Sequence, residues 1–230
     1  MNADSDAQAE SQQLYETRQL DALAARWDAK AATWDHALEA PSCHLNEDEA
    51  YERFVVEASQ IITERENVCS KQGLIDLGCG TGLVLSRLVH SFAWAIGLDI
   101  SHQMVSMAKR KNIPKASFLV GDAFCLPELC PPAGAIVSRG ILLSHYGIEA
   151  GEMLLRAARK TLVPGGFVLF DFLNEAARAN ASHAPENKTY FTGTELKAMV
   201  ERVGCERMRI VGESTRRVRL LFAELKGSTK

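Results

Sequence analysis

The chain has no C-x-x-C pair and no regular cysteine spacing; its six cysteines are scattered at 43, 69, 79, 125, 130 and 205. That scatter argues against a disulfide framework or a metal site and suits reduced thiols in or near a core. No stretch approaches the ~20 apolar residues of a membrane span. The opening "MNADSDAQAESQQ" lacks the apolar run of a signal peptide. A cytoplasmic protein without a membrane partner is therefore expected. Positive charge is not in excess either: 26 Lys and Arg stand against 29 Asp and Glu, a net charge of −3. Nucleic-acid phosphates call for a basic surface, so no nucleic-acid partner is expected. Repeats and low-complexity segments are also missing. What is present is an ordinary globular composition, 230 residues with 47% apolar and 24% charged side chains, enough to bury one large core.

Residues 1–13 are polar and read as a tail. Residues 14–66 carry helical patterns. Trp27, Ala31, Trp34 and Leu38 share one face of a helix expected from Leu14 to about Leu38, which Pro41 and Ser42 interrupt. Asn46 with Glu49 then has the form of a capping box, ahead of a stripe of Tyr51, Phe54, Val55, Ala58, Ile61 and Ile62. Over 67–230 the rhythm becomes strand, turn, helix. Strand-like runs are Leu74–Leu77, Ala93–Leu98, Ala116–Val120, Ala135–Ser138 and Phe167–Phe172, with helical patterns near 82–90, 101–111 and 149–162 between them. Near-continuous apolar strands alternating with helices predict a doubly wound α/β fold, its mostly parallel sheet covered on both faces. "VPGG" (163–166) reads as a turn, and Thr192 with Glu195 as a capping box opening a helix to about Val203. Two last runs, Arg207–Val211 and Val218–Leu225, are close enough to form a hairpin.

"LIDLGCGTG" (74–82) ends an apolar strand with Asp76 and then Gly78, Gly80 and Gly82. A glycine loop between strand and helix presents backbone N–H groups to a ligand. A dinucleotide loop uses G-x-G-x-x-G spacing for a pyrophosphate, which Asp76 would repel. S-adenosylmethionine has no phosphate; it carries a sulfonium, an ammonium and a carboxylate, which match the acid and the amides respectively. Asp99 closes the second strand, about 20 residues on, where a carboxylate accepts ribose hydroxyls. Asp122 closes the third in "GDA", placed to accept the adenine amino group while the Ala123 side of the turn reads a ring nitrogen. Met104 lies against the adenine or in the core.

With those residues in order, the chain resembles the class I S-adenosylmethionine-dependent methyltransferases of small-molecule type. "LIDLGCGTG", "GLDIS", "GDA", "AIVSRGILLSH" and "LVPGGFVLFDF" follow that family's motifs, and "WDAKAATWD" (27–35) is similar to its aromatic opening helix. The resemblance implies a seven-stranded sheet with the last strand antiparallel, and an N-terminal helical lid over 14–66 on a methyltransferase core over 67–230. Cofactor contacts are expected on Asp76, Gly78, Cys79, Gly80, Gly82, Asp99, Ile100, Met104, Asp122, Ala123 and, as the resemblance implies, Arg139 (or Gly140); Trp34, on the lid, is expected to touch cofactor or acceptor. For Trp27 plain packing is expected.

Methyl transfer is an in-line displacement in which the protein supplies alignment and a dry site. The candidate base is His145, followed by Tyr146, after the fourth strand; a structural role for His145 is the other reading. "GILLSH" resembles the G-N-S-F-A-H segment of glycine N-methyltransferases, but Ile141 replaces its Asn, so no amino-acid acceptor carries over. Asp171 and Asn174, ending the fifth strand, either hold a polar acceptor or cap a loop. The long segment 174–191 is a candidate cover. The basic "STRRVR" (214–219) reads as a solvated hairpin tip, or else as an anchor for an anionic substrate. The acceptor is expected to be a small molecule, methylated on nitrogen before oxygen or carbon. An NAD(P)-dependent oxidoreductase and a silent cofactor-binding protein are the alternatives; no metal is expected.

Overall fold

The computed structural model describes residues 20–35, 50–140, 142–180 and 188–225. Eight strands form one sheet in the order β3-β2-β1-β4-β5-β8-β7, with β6 pairing off the path to β5. They are β1 Gly73–Leu77, β2 Trp94–Asp99, β3 Ala116–Val120, β4 Ala133–Ser138, β5 Leu162–Asn174, β6 Tyr190–Phe191, β7 Arg207–Val211 and β8 Val218–Glu224. β1 to β5 run parallel, and β8 is antiparallel to both β5 and β7. The expected seven strands and terminal hairpin are present. β6, two residues long, is the addition.

Side-chain alternation divides the core into two layers. Leu74, Ala135, Val137, Phe167 and Leu169 face the helices Ala50–Glu64, Leu83–Leu88 and His102–Arg110. Ile75, Leu77, Ile136, Val168 and Phe170 face Ile148–Thr161 and Gly193–Val203. The helix Ala50–Glu64 buries Phe54, Val55, Ala58, Ile61 and Ile62, the stripe that its spacing predicts. Thr192 and Glu195 form the reciprocal capping box on Gly193–Val203, and Gly204, at φ +81°, ends that helix.

Two elements depart from expectation. The first helix does not run through to Leu38: residues 20–28 are helical, 29–30 turn, and Ala31–Thr33 is a single 3-10 turn. The spacing of apolar residues was helical on both sides of that break, and a uniform period masked it. "VPGG" is not a separate turn but the irregular start of β5. Ala133 pairs with Leu162 while Ala135 pairs with Phe167, so the extra residues bulge out. The Asn46–Glu49 cap lies outside the described residues.

Candidate active site

Asp99 fastens the glycine loop to the end of β2. Its Oδ2 accepts from the Gly80 N–H at 2.8 Å and its Oδ1 from the Ser101 N–H at 2.8 Å. The N–H groups of Gly78 and Cys79 both point to the Leu98 carbonyl, at 2.8 and 3.2 Å. Gly78 and Gly80 take φ of +66° and +54°, the left-handed region where a side chain is strained. A Cβ on Gly80 would also stand 3.1 Å from the Trp34 indole nitrogen, so the missing side chain lets the tryptophan lie on the loop. Ser101 caps the helix His102–Arg110, accepting from the Met104 N–H.

The residues of "WDAKAATWD" hold the N-terminal segment down over this loop. Asp28 accepts from the Ser101 hydroxyl and from the Gln103 N–H at 2.9 Å. Those bonds hold its carboxyl below the usual range, the Ser101 bond most of all. Asp35 accepts from the Thr81 hydroxyl and pairs with Lys111 Nζ at 2.7 Å. Trp27 and Trp34 meet edge to face at 5.5 Å. The repeated Trp-Asp dipeptide was visible in the sequence, but that its acids are latches was not.

Beneath this cover lies a cavity of about 280 Å³. Of the sequence-predicted residues, it brings together Trp34, Gly78, Gly80, Asp99, Ile100, Met104, Asp122, Ala123, Arg139, His145 and Tyr146. Asp76, Cys79 and Gly82 support the loop without lining the cavity. Leu23, Arg26, Trp27, Leu142 and Lys188 line it as well, and sequence spacing marked none of them as a site residue. Trp27, expected to do no more than pack, stacks on the His145 ring at 6.0 Å.

Asp171 and Asn174 lie outside this cavity. Alternation along β5 puts Asp171 on the face of Phe167 and Leu169, beneath Ala50–Glu64, where its carboxylate accepts from the Gly140 N–H at 3.0 and 3.1 Å. Asn174 donates to the Ser214 and Arg216 carbonyls at 2.7 and 2.9 Å and so ties down the β7–β8 connection. Both bond to backbone away from the cavity, which fits the loop-capping alternative. Arg139 lies over the Tyr51 ring at 5.5 Å while also lining the cavity.

The electrostatics differ between the two ends of the site. Burial pushes the Asp76 carboxyl well above the usual carboxylate range, and Asp99 and Asp171 add to that. Its Oδ2 has no hydrogen-bond partner. Burial also raises the Asp99 carboxyl. Asp99 and Asp122 on the cavity wall, with the orphaned Asp76 oxygen buried behind the loop, suit a cationic ligand. At the other end, burial and then Lys188, Arg26 and Lys30 push His145 down to about 4, against a hydrogen bond to the Gly140 backbone. Burial holds the Tyr146 hydroxyl up at about 12, and its ring packs edge-on to Phe124 at 4.9 Å.

A sheet of this order, with a glycine loop after β1 and acids closing β1, β2 and β3, is the fold of the class I S-adenosylmethionine-dependent methyltransferases. Residues 74–166 match the family model described as a methyltransferase domain. An uncharacterised methyltransferase of Oceanobacillus iheyensis is 32% identical over 124 residues, covering 54% of this chain and 56% of that protein. The chain thus spans about half the length of that relative. A ubiquinone biosynthesis O-methyltransferase of Serratia proteamaculans is 23% identical, over 78% of this chain and 69% of the relative. Among solved structures, magnesium protoporphyrin IX methyltransferase from Synechocystis, with S-adenosylmethionine bound, superposes with a TM-score of 0.68. It is 15% identical, over 90% of this chain and 97% of that one. The cofactor of this class is S-adenosylmethionine, and the residues present fit it. The loop glycines leave room for close approach: a Cβ on Gly78 or Gly140 would meet nothing within 4 Å. Asp99 and Asp122 are the acids on the cavity wall that would face the cofactor. Among the described residues there is no group of three or more metal-ligating side chains, and no helix is long and apolar enough to cross a membrane.

Proposed function

We propose that the protein transfers a methyl group from S-adenosylmethionine to a small-molecule acceptor, beneath a lid formed by the N-terminal segment. The observation that carries this reading is the single cavity joining Asp99, Met104 and Asp122 to His145 and Tyr146. Bound there, the cofactor supplies an electrophilic methyl on a sulfonium: the acceptor lone pair forms the new bond to carbon, and the C–S pair stays on sulfur. Asp99 takes the ribose hydroxyls with lone pairs left over from its two backbone bonds. Asp122 reads the adenine with the oxygen not used to cap the Phe124 N–H. Asp76 offsets the cationic groups, Trp34 closes the loop, and the apolar lining excludes water.

His145, neutral at physiological pH, is too weak a base to take a proton from an ammonium. The acceptor must then present a free lone pair itself. Nitrogen was the sequence expectation; the cations around His145 favour an acceptor atom that is not a protonated amine. Thermal melts test the cofactor assignment. S-adenosylmethionine and S-adenosylhomocysteine should raise Tm and NAD should not. Stabilisation by NAD alone would sink the reading. Labelled cofactor with pooled metabolites should give a methylated product.

A further inference from the structure

We infer that the acceptor carries an anionic group, a carboxylate or a phosphate, seated between Arg26 and Lys188 at the His145 end of the cavity. The inference rests on the methyltransferase reading above and adds the chemical class of its substrate.

Three cations from two distant parts of the chain converge there. Arg26 comes from the helix over 20–28, Lys30 from the turn after it, and Lys188 from the approach to β6. Arg26 and Lys188 both line the cavity. Lys188 is held in place by its neighbour, since the Thr189 N–H donates to the Ser144 carbonyl at 2.9 Å, one residue from His145. Lys30 Nζ lies 4.8 Å from the centroid of the Trp27 ring, which in turn stacks on His145.

Among the described residues no carboxylate lies within ion-pair distance of these three. Asp28, two residues from both Arg26 and Lys30, is committed to Ser101 and Gln103. Burial, then Arg26 and Lys30, bring Lys188 down to about 8. Like charges gathered in a half-buried place raise the free energy of the empty site, and an anion removes that cost. A planar guanidinium beside an ammonium suits carboxylate or phosphate oxygens. Leu23, Leu142 and Tyr146 line the same cavity, so the rest of the acceptor is apolar.

The test uses the full chain saturated with S-adenosylhomocysteine, titrated with octanoate, phenyl phosphate and neutral octanamide. Both anions should bind and raise Tm while octanamide does not; the tighter of the two identifies the head group. In the Arg26→Gln/Lys188→Gln double variant anion affinity should fall by about tenfold or more, the scale of a lost charge-assisted hydrogen bond. S-adenosylhomocysteine affinity should stay within about twofold, because no ribose or adenine contact is touched. Removal of like charge should leave the ligand-free Tm unchanged or raised, which separates lost binding from lost folding. Octanamide binding as well as octanoate, or no anion binding, overturns the inference. So does an equal loss of S-adenosylhomocysteine affinity, which would assign the cations to the cofactor's own carboxylate. If S-adenosylhomocysteine fails to bind the wild type, the methyltransferase reading falls first and takes this inference with it.

Discussion

Replacing Asp99 with alanine should cost both stability and cofactor affinity, and the two losses can be measured apart. From its place at a strand end alone, Asp99 would be a mild site for the fold. The structure puts it otherwise: it is 8% exposed, and each carboxylate oxygen takes a backbone N–H, from Gly80 and from Ser101. Alanine leaves both donors buried and unpaired, at roughly 1–3 kcal/mol each, so about 2–6 kcal/mol in all. Part of that is returned because burial already disfavours the ionised carboxyl, which places the expectation in the lower half of the range. Against a typical domain stability of about 5–15 kcal/mol, the variant should fold but unfold at clearly lower urea. Asp99→Asn keeps one acceptor oxygen and should lose about half as much. Urea unfolding followed by tryptophan fluorescence, without ligand, reads the first effect. Calorimetric titration with S-adenosylhomocysteine reads the second, expected at roughly 1–3 kcal/mol weaker for lost ribose hydrogen bonds. An unchanged urea midpoint would refute the bonding described for Asp99. A lower midpoint with unchanged affinity would make Asp99 a structural acid alone.

Asp76→Asn should raise the ligand-free Tm near neutral pH and weaken cofactor binding. The folded carboxyl is raised, so ionisation opposes folding above that raised value, and the gain should shrink as pH falls through it. A lower Tm at every pH would count against this account. Gly80→Ala forces a side chain into left-handed backbone, at about 1–2 kcal/mol, and pushes Trp34 off the loop. A wild-type tryptophan spectrum would contradict it. Asp35→Ala removes the latch to Thr81 and Lys111 and should speed hydrogen exchange over 20–35 in the presence of S-adenosylhomocysteine; unaltered exchange would show that the latch does not hold the segment. Thr192→Ala should cost about 1 kcal/mol through the capping box without touching ligand affinity, as chemical denaturation and calorimetry would show.

The features that sequence alone determined are those written in local rules. β3 and β7 fall on the residues that apolar runs marked, and the Thr192–Glu195 box appears where its two residues stand three apart. The order of acids near strand ends after a glycine loop marked two residues, Asp99 and Asp122, that the cavity brings together. Only the tertiary structure decided where polar side chains point and what they meet. Asp99 ends β2 and lines the cavity, whereas Asp171, inside β5, faces Ala50–Glu64 and holds the Gly140 backbone. Asp28 and Asp35 became latches only when helix 102–110 and the glycine loop came beneath them. Arg26 and Lys188 stand 162 positions apart in the chain and meet at one cavity wall. Charge acts through space, and sequence separation carries no information about that distance until the chain has folded.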